Sequence, residues 1–220
     1  MAMEAVSPEL IAEARNDVCP PERSLLVASL LTMSGGFLDA STWLTLGGVF
    51  SSSQTGNVVF LGVYAMSGQW QQAAHHLLPI AAFLLGAWLA IRIRAPLLSL
   101  AGEIACLAAV MLLRHRIPDM VAIFGMSFGA ALQSASFRQI ERWNYLSITV
   151  TGNMLRAIDQ SVATSDRDAT RGCVVMLLLC LLFLSGAAIG SCVAKWFGGR
   201  GLLVPIGLSL CVLWLCRRRR

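Results

Sequence analysis

Long apolar stretches separated by short charged clusters run along almost the whole chain. A membrane helix needs about 20 mostly apolar residues. Six stretches reach this length alone or with their flanks, and they cover residues 25–47, 77–91, 97–113, 119–137, 172–194 and 202–216. This pattern predicts an all-α membrane protein with six transmembrane helices.

The chain also repeats itself at an interval of about 95 residues. Thr-Gly-Asn at 55–57 recurs at 151–153, Phe-Leu-Leu-Gly-Ala at 83–87 recurs as Phe-Leu-Ser-Gly-Ala at 183–187, and residues 36–40 align more loosely with 131–135. Because these segments follow one another in the same order, we predict a duplicated membrane domain over residues 24–216. Repeat 1 covers about 24–116 and repeat 2 about 117–216.

Three spans in each repeat would turn the second copy upside down relative to the first, a common plan among secondary transporters. With residues 1–23 as a cytoplasmic tail, this arrangement leaves few basic residues outside, namely Arg114, Arg116, Lys195 and Arg200. Lys and Arg favour the cytoplasmic side, so we predict cytoplasmic N- and C-termini, the latter a basic tail over 217–220. In an alternative with eight spans, 55–68 and 147–160 also cross, and the charges fit less well.

A carboxylate within an apolar span indicates a candidate binding site, because burying it in the bilayer costs roughly 3 kcal/mol unless it finds a partner. Asp39 is such a residue and follows the glycine pair at 35–36. Gln133 and Ser134 occupy the matching place in repeat 2. Alternatively, Asp39 lies near a span end and caps the next segment.

The two Thr-Gly-Asn segments are predicted to be short helices that enter the protein and do not cross it. Asn57 and Asn153 fit helix N-caps. Two such helix ends meeting from opposite sides would bring free N–H groups into an apolar wall. The substrate-binding residues predicted in this way are Asp39, Thr55, Gly56, Asn57, Gln133, Ser134, Thr151, Gly152 and Asn153. Plain amphipathic helices at the membrane interface are the alternative.

Composition narrows the class of protein. Hydrophobic residues make up 56% of the 220 residues and charged residues only 13%, about half the usual charged share of a soluble domain. The net charge of +5 comes from basic residues beside membrane spans, so we predict contact with lipid rather than nucleic acid. The chain has no cysteine or histidine pattern for metal, and no nucleotide or hydrolase motif. We therefore predict no catalytic residues, no metal and no cofactor.

These motifs resemble the YoaK-like family of small bacterial multi-pass membrane proteins of unknown function. The resemblance covers about residues 24–216 and rests on residues 36–40, Gln133-Ser134-Ala135 and the two Thr-Gly-Asn segments. It implies a location in the bacterial cytoplasmic (inner) membrane and no known enzyme activity. Ser134 stands where the family pattern has Asn. This difference weakens a hydrogen-bonding position and leaves open whether the chain handles the same ligand as other members.

The leading functional hypothesis is a transporter or channel-like protein for a small molecule. One rival is a membrane-embedded enzyme acting on lipids or isoprenoids, in which Arg138 and Arg142 with Asp39 could hold a headgroup. Such an enzyme would need a nucleophile, a metal cluster or an acid–base pair such as Asp39 with Glu103. The other rival is a non-transporting partner or sensor subunit, which predicts a dry, fully packed interior. A homo-oligomer is compatible with each of them.

Overall fold

Helices account for most of the structure. The computed structural model describes residues 20–163 and 167–218. Its α-helices are α1 (Leu25–Thr45), α2 (Gln54–Met66), α3 (Trp70–Ile93), α4 (Pro96–Leu113), α5 (Asp119–Ser136), α6 (Val150–Ala163), α7 (Arg167–Phe197) and α8 (Leu203–Arg218). Short 3-10 turns precede α1 (Pro21–Arg23) and α8 (Gly198–Leu202), and a two-residue antiparallel pair, β1 (Gln139–Ile140) with β2 (Trp143–Asn144), lies between α5 and α6. The all-α prediction is confirmed.

Local sequence explains where several helices begin and end. The Ser24 side chain accepts a hydrogen bond from the Val27 N–H at 3.3 Å and so caps α1. Pro96 occupies the first turn of α4, where its missing N–H costs nothing. Gly47 and Gly48, both with positive φ, turn the chain back after α1. Of the two predicted tails, 1–23 is described only from residue 20 and 217–220 only through Arg218, where α8 ends.

Within the described residues, four stretches are long and apolar enough to cross a membrane. They are Leu25–Thr45, Trp70–Ile93, Pro96–Leu113 and Arg167–Arg218, the last containing both α7 and α8. The short helices α2 and α6 are not among them, and neither is α5, although it has 18 residues. Each of the six predicted spans nevertheless corresponds to a single helix.

The distribution of side chains is the reverse of that in a soluble protein. Large apolar side chains point outward on α3 and α7, as Trp88 (62% exposed) and Leu184 (64%) illustrate. Asp39, Glu103 and Gln133 are buried inside. Apolar surface on this scale needs a covering, and a bilayer that is as apolar as these side chains provides it. The fold therefore defines a membrane protein.

The helices pack in matched pairs. α1 lies along α7 and α5 along α3; α2 contacts α3 and α6 contacts α7; α4 contacts α5 and α8 contacts α1. Glycines permit the closest approaches. A Cβ added at Gly186 would lie 2.0 Å from the Met33 carbonyl oxygen, and one at Gly86 would lie 2.5 Å from that of Phe128. The Gly-Ala motifs at 86–87 and 186–187 therefore both lie at close helix crossings, α3 on α5 and α7 on α1.

Candidate functional site

The Asp39 carboxylate is held by the loop that leads into α2. The Ser52 N–H donates to Oδ1 at 2.7 Å and the Ser53 N–H donates to Oδ2 at 3.1 Å. The Ser51 hydroxyl donates to Oδ1 at 3.1 Å, and the Ser53 hydroxyl donates to Oδ2. Asp39 is 4% exposed, so these donors replace water around the charge, as burial requires.

This network fixes the start of α2 against α1. α2 begins at Gln54, directly after the three serines, so the carboxylate lies at the positive end of its helix dipole. These contacts fit the alternative expectation, that Asp39 caps the following segment, better than the expectation that Asp39 binds a ligand.

Asn57 and Asn153 have equivalent roles, but these are not the expected N-caps. α2 begins at Gln54 and α6 at Val150, so each Asn lies within the helix, and the N-cap expectation was wrong. The Asn57 side chain donates to the Phe50 carbonyl at 2.7 Å, and Asn153 donates to the Leu146 carbonyl at 3.0 Å. Both carbonyls lie seven residues earlier, so each Asn folds the preceding loop onto its own helix.

Gln133 and Ser134 make different contacts. The Gln133 amide donates to the Leu31 carbonyl at 3.1 Å, which joins α5 to α1. The Ser134 hydroxyl donates to the Ala131 carbonyl in its own helix at 3.4 Å. Gln133 therefore acts as an interhelical link, whereas Ser134 has no partner on another helix among the described residues.

A cavity of about 540 Å³ lies between the ends of the two short helices. Its lining residues are Ser52, Ser53, Gln54, Thr55, Phe83, Ala87, Ile91, Ser134, Ala135, Arg138, Leu146, Ile148, Thr149, Val150 and Thr151. The cavity has polar ends and an apolar wall from α3, as small-molecule sites commonly have.

Three of the predicted site residues, Thr55, Ser134 and Thr151, line this cavity. The other predicted residues are not among those lining it: Asp39, Gly56, Asn57, Gln133, Gly152 and Asn153. Thr55 and Thr151 lie in the first turns of α2 and α6. First-turn N–H groups have no intrahelical partner, and the helix dipole makes this end positive. The cavity therefore lies beside two positive helix ends, of which that of α2 already faces the Asp39 carboxylate.

Arg138 is one of the cavity residues outside the predicted substrate-binding set, although the lipid-enzyme hypothesis gave it a headgroup-binding role. It is the one charged side chain among the described residues lining the cavity. Its Nε donates to the Ala135 carbonyl at 2.7 Å at the end of α5. In the sequence it marks the cytoplasmic end of a span, and its position four residues after Ser134 was the available signal.

Glu103 lies elsewhere, between α4 and α8. It is fully buried and accepts a hydrogen bond from the Ser209 hydroxyl at 3.1 Å. Its other carboxylate oxygen has no partner among the described residues. Asp39 and Glu103 therefore have separate partners. The described residues contain no group of three or more potential metal ligands.

Fold and site together define an all-α membrane protein with a cavity between its two short helices. The chain belongs to the family described as Protein of unknown function (DUF1275), whose model matches residues 27–215. This agrees with the resemblance seen in the sequence. No curated protein and no solved structure shows significant similarity to the chain.

Proposed function

We propose that this protein is a small-molecule transporter or channel-like protein of the bacterial cytoplasmic membrane, with six spans in two inverted repeats. The observation that carries the proposal is the cavity into which the first turns of both α2 and α6 project. Half-helix ends that meet inside the protein are a recurring way to build a transport site.

The helix lengths support six spans. α2 has 13 residues and α6 has 14, or roughly 20 Å at 1.5 Å per residue. That is too short for a hydrocarbon core of about 30 Å. α5, with 18 residues, reaches about 27 Å and needs little flanking sequence. Six crossings would leave both termini on one side, which the basic residues indicate is the cytoplasmic side.

The pairing of helices supports the duplication. Repeat 1 would contain α1 to α4 and repeat 2 would contain α5 to α8. Under this correspondence, the contact of α1 with α7 matches that of α5 with α3. The first helix of each repeat therefore packs against the third helix of the other repeat. The Asn57–Phe50 and Asn153–Leu146 hydrogen bonds also correspond.

A topology measurement tests the inverted arrangement. A reporter inserted after Arg116, in the turn between α4 and α5, should be accessible from outside the cell, and one fused after the C-terminus should be inside. Accessibility of the Arg116 reporter from the cytoplasm would mean that α2 and α6 cross the bilayer, and the inverted repeats would be rejected.

A cavity-blocking variant tests the transport function. Ala87 lines the cavity on α3, whereas Ala81 on the same helix is exposed on the outer surface. Purified protein would be screened by thermal shift against anionic, cationic and neutral small molecules, and hits would be followed by flux into proteoliposomes. Ala87→Phe should abolish both responses, and Ala81→Phe should preserve them. Flux that Ala87→Phe leaves intact would refute this cavity as the transport site.

The two rivals gain less support. An acid–base enzyme would bring its carboxyl groups together, but Asp39 and Glu103 are each bound to different serines. A sensor subunit with a packed interior would leave little space between the short helices, where a cavity of about 540 Å³ lies.

A further inference from the structure

We propose that the cavity binds the carboxylate of a small organic anion beside Ser134, at the position in repeat 2 that corresponds to Asp39. This inference rests on the proposed function, since it names the class of ligand for the same cavity. It follows from a comparison of the two halves of the chain.

In the first half, the loop before the short helix already contains a carboxylate. Asp39 accepts hydrogen bonds from the hydroxyl groups of Ser51 and Ser53 and from the N–H groups of Ser52 and Ser53. The loop at 51–53 and the start of α2 therefore form a carboxylate-binding structure. The carboxylate that it binds is the Asp39 side chain of α1.

In the second half, no side-chain carboxylate lies at the position that corresponds to Asp39. The repeat that relates Asn57 to Asn153 places Ser147 where Ser51 lies and Thr149 where Ser53 lies. Ser134 replaces Asp39, and its hydroxyl donates to its own helix. Ser147 is 1% exposed, and its hydroxyl has no partner among the described residues. A buried hydroxyl without a partner is costly, so the Ser147 hydroxyl is a donor for a missing acceptor.

The cavity reaches this position. Ser134 and the two residues after Ser147, Ile148 and Thr149, line it, whereas neither Ser147 nor Asp39 is among its described lining residues. A ligand carboxylate can therefore approach the second loop from the cavity and need not displace a side chain. The first turn of α6 would supply N–H groups to the same anion.

Charge favours an anion over a cation or a neutral ligand. Arg138 lines the cavity, and no carboxylate lines it among the described residues. Arg142 and Arg171 are paired with Asp168 and Glu141. By contrast, Arg138 forms no salt bridge within residues 20–163 and 167–218. Its guanidinium can thus form the charge-assisted hydrogen bonds that carboxylates prefer.

The opposite wall requires an apolar body on the ligand. Phe83, Ala87 and Ile91 form one stripe of α3 along the cavity, and Leu146 adds to it. Apolar contact there contributes affinity in proportion to the area covered. The ligand class is therefore a small amphipathic carboxylate rather than an inorganic anion.

The first test is independent of the natural ligand. Ser134→Asp should supply the missing carboxylate and raise the melting temperature of the purified protein above that of Ser134→Asn, by about 2–4 °C. Ser127 is the matched control, because it lies on the same helix, is 1% exposed and has no hydrogen-bond partner among the described residues. Ser127→Asp should lower the melting temperature. If Ser134→Asp lowers it as much as Ser127→Asp does, the proposal is overturned.

The second test uses benzoate, benzamide and benzamidine, three probes of similar size with negative, neutral and positive charge. Only benzoate should stabilise the wild type, and Arg138→Gln should weaken its binding about tenfold. Ser134→Asp should abolish it. If benzamidine or benzamide binds preferentially and Ala87→Phe blocks that binding, the proposal of an anionic ligand is rejected while the transporter proposal stands. If Ala87→Phe leaves all binding and flux unchanged, the transporter proposal itself fails.

Discussion

The crossing of α1 and α7 gives the most quantitative prediction. Gly36 and Gly186 lie where the two backbones meet. A Cβ at Gly36 would be 2.1 Å from the Phe183 carbonyl oxygen, and one at Gly186 would be 2.0 Å from that of Met33. Carbon and oxygen approach no closer than about 3.3 Å even in weak hydrogen bonds. Gly36→Ala or Gly186→Ala must therefore separate the helices by about 1 Å.

The expected loss of stability follows from two opposing terms. Overpacking costs typically 1–3 kcal/mol, and a carbonyl in a helix backbone cannot move aside as a side chain can. Replacing Gly by Ala within a helix gains roughly 0.5–1 kcal/mol. A contact with backbone takes the upper part of the overpacking range, about 2–3 kcal/mol, so the net destabilisation is about 1–2.5 kcal/mol. This corresponds to a melting temperature lower by about 2–10 °C for a chain of this size.

Thermal unfolding of the detergent-purified protein, followed by tryptophan fluorescence, measures this loss. Gly62→Ala on α2 and Gly207→Ala on α8 are the matched controls, because nothing lies within 4 Å of a Cβ added at either position. They should melt at or slightly above the wild-type temperature. The double variant Gly36→Ala/Gly186→Ala should lose less than the sum of the single losses, since one separation relieves both contacts. If Gly36→Ala melts like Gly62→Ala, the close crossing does not exist.

Four further substitutions test other contacts. Asp39→Asn replaces an acceptor with an amide that faces the Ser53 N–H, so it should destabilise the protein by about 1–3 kcal/mol in the same unfolding assay. Asn57→Ala should cost more than Asn153→Ala, because Asn57 bonds both the Phe50 N–H and carbonyl, whereas Asn153 bonds one carbonyl. Tyr145→Phe should be neutral or stabilising, because the buried Tyr145 hydroxyl has no partner among the described residues. Burial raises the pKa of Tyr145, so absorbance titration should detect no ionisation of it near pH 10, and the stability of the wild type should fall as the pH rises above 10.

The periodicity of apolar residues was enough to predict the helices but not their ends. The stretch predicted as 172–194 is a helix over Arg167–Phe197, and 77–91 lies within Trp70–Ile93. Polar flanks continue a helix without adding to its hydropathy, so an apolar count stops too early. The Thr-Gly-Asn segments were correctly predicted as short helices. Polar residues precede the first and apolar residues follow it, and the second was predicted because it repeats the same motif.

The residues of the site were harder to predict because hydrogen-bond partners distant in the chain decide their roles. Asp39 was recognised as an unusual buried carboxylate, but nothing in three consecutive serines identifies them as its partners. Gln133 was grouped with Ser134 by sequence, yet adjacent helical residues point in different directions. One bonds α1 and the other lines the cavity. Arg138 was given a binding role only in the lipid-enzyme hypothesis, and the fold places it at the cavity.

The two halves of the molecule differ in how firmly each short helix is held. Around α2, the loop is held by the Asp39 carboxylate and by two hydrogen bonds between Asn57 and Phe50. Around α6, Asn153 keeps one of those bonds, and its side-chain oxygen and the Ser147 hydroxyl have no partners among the described residues. Local opening is easiest where fewest contacts must break. A ligand that completes the second loop would therefore stabilise the conformation in which that loop is closed more than the one in which it is open. Such a difference in binding free energy between two conformations is what ligand-driven movement requires.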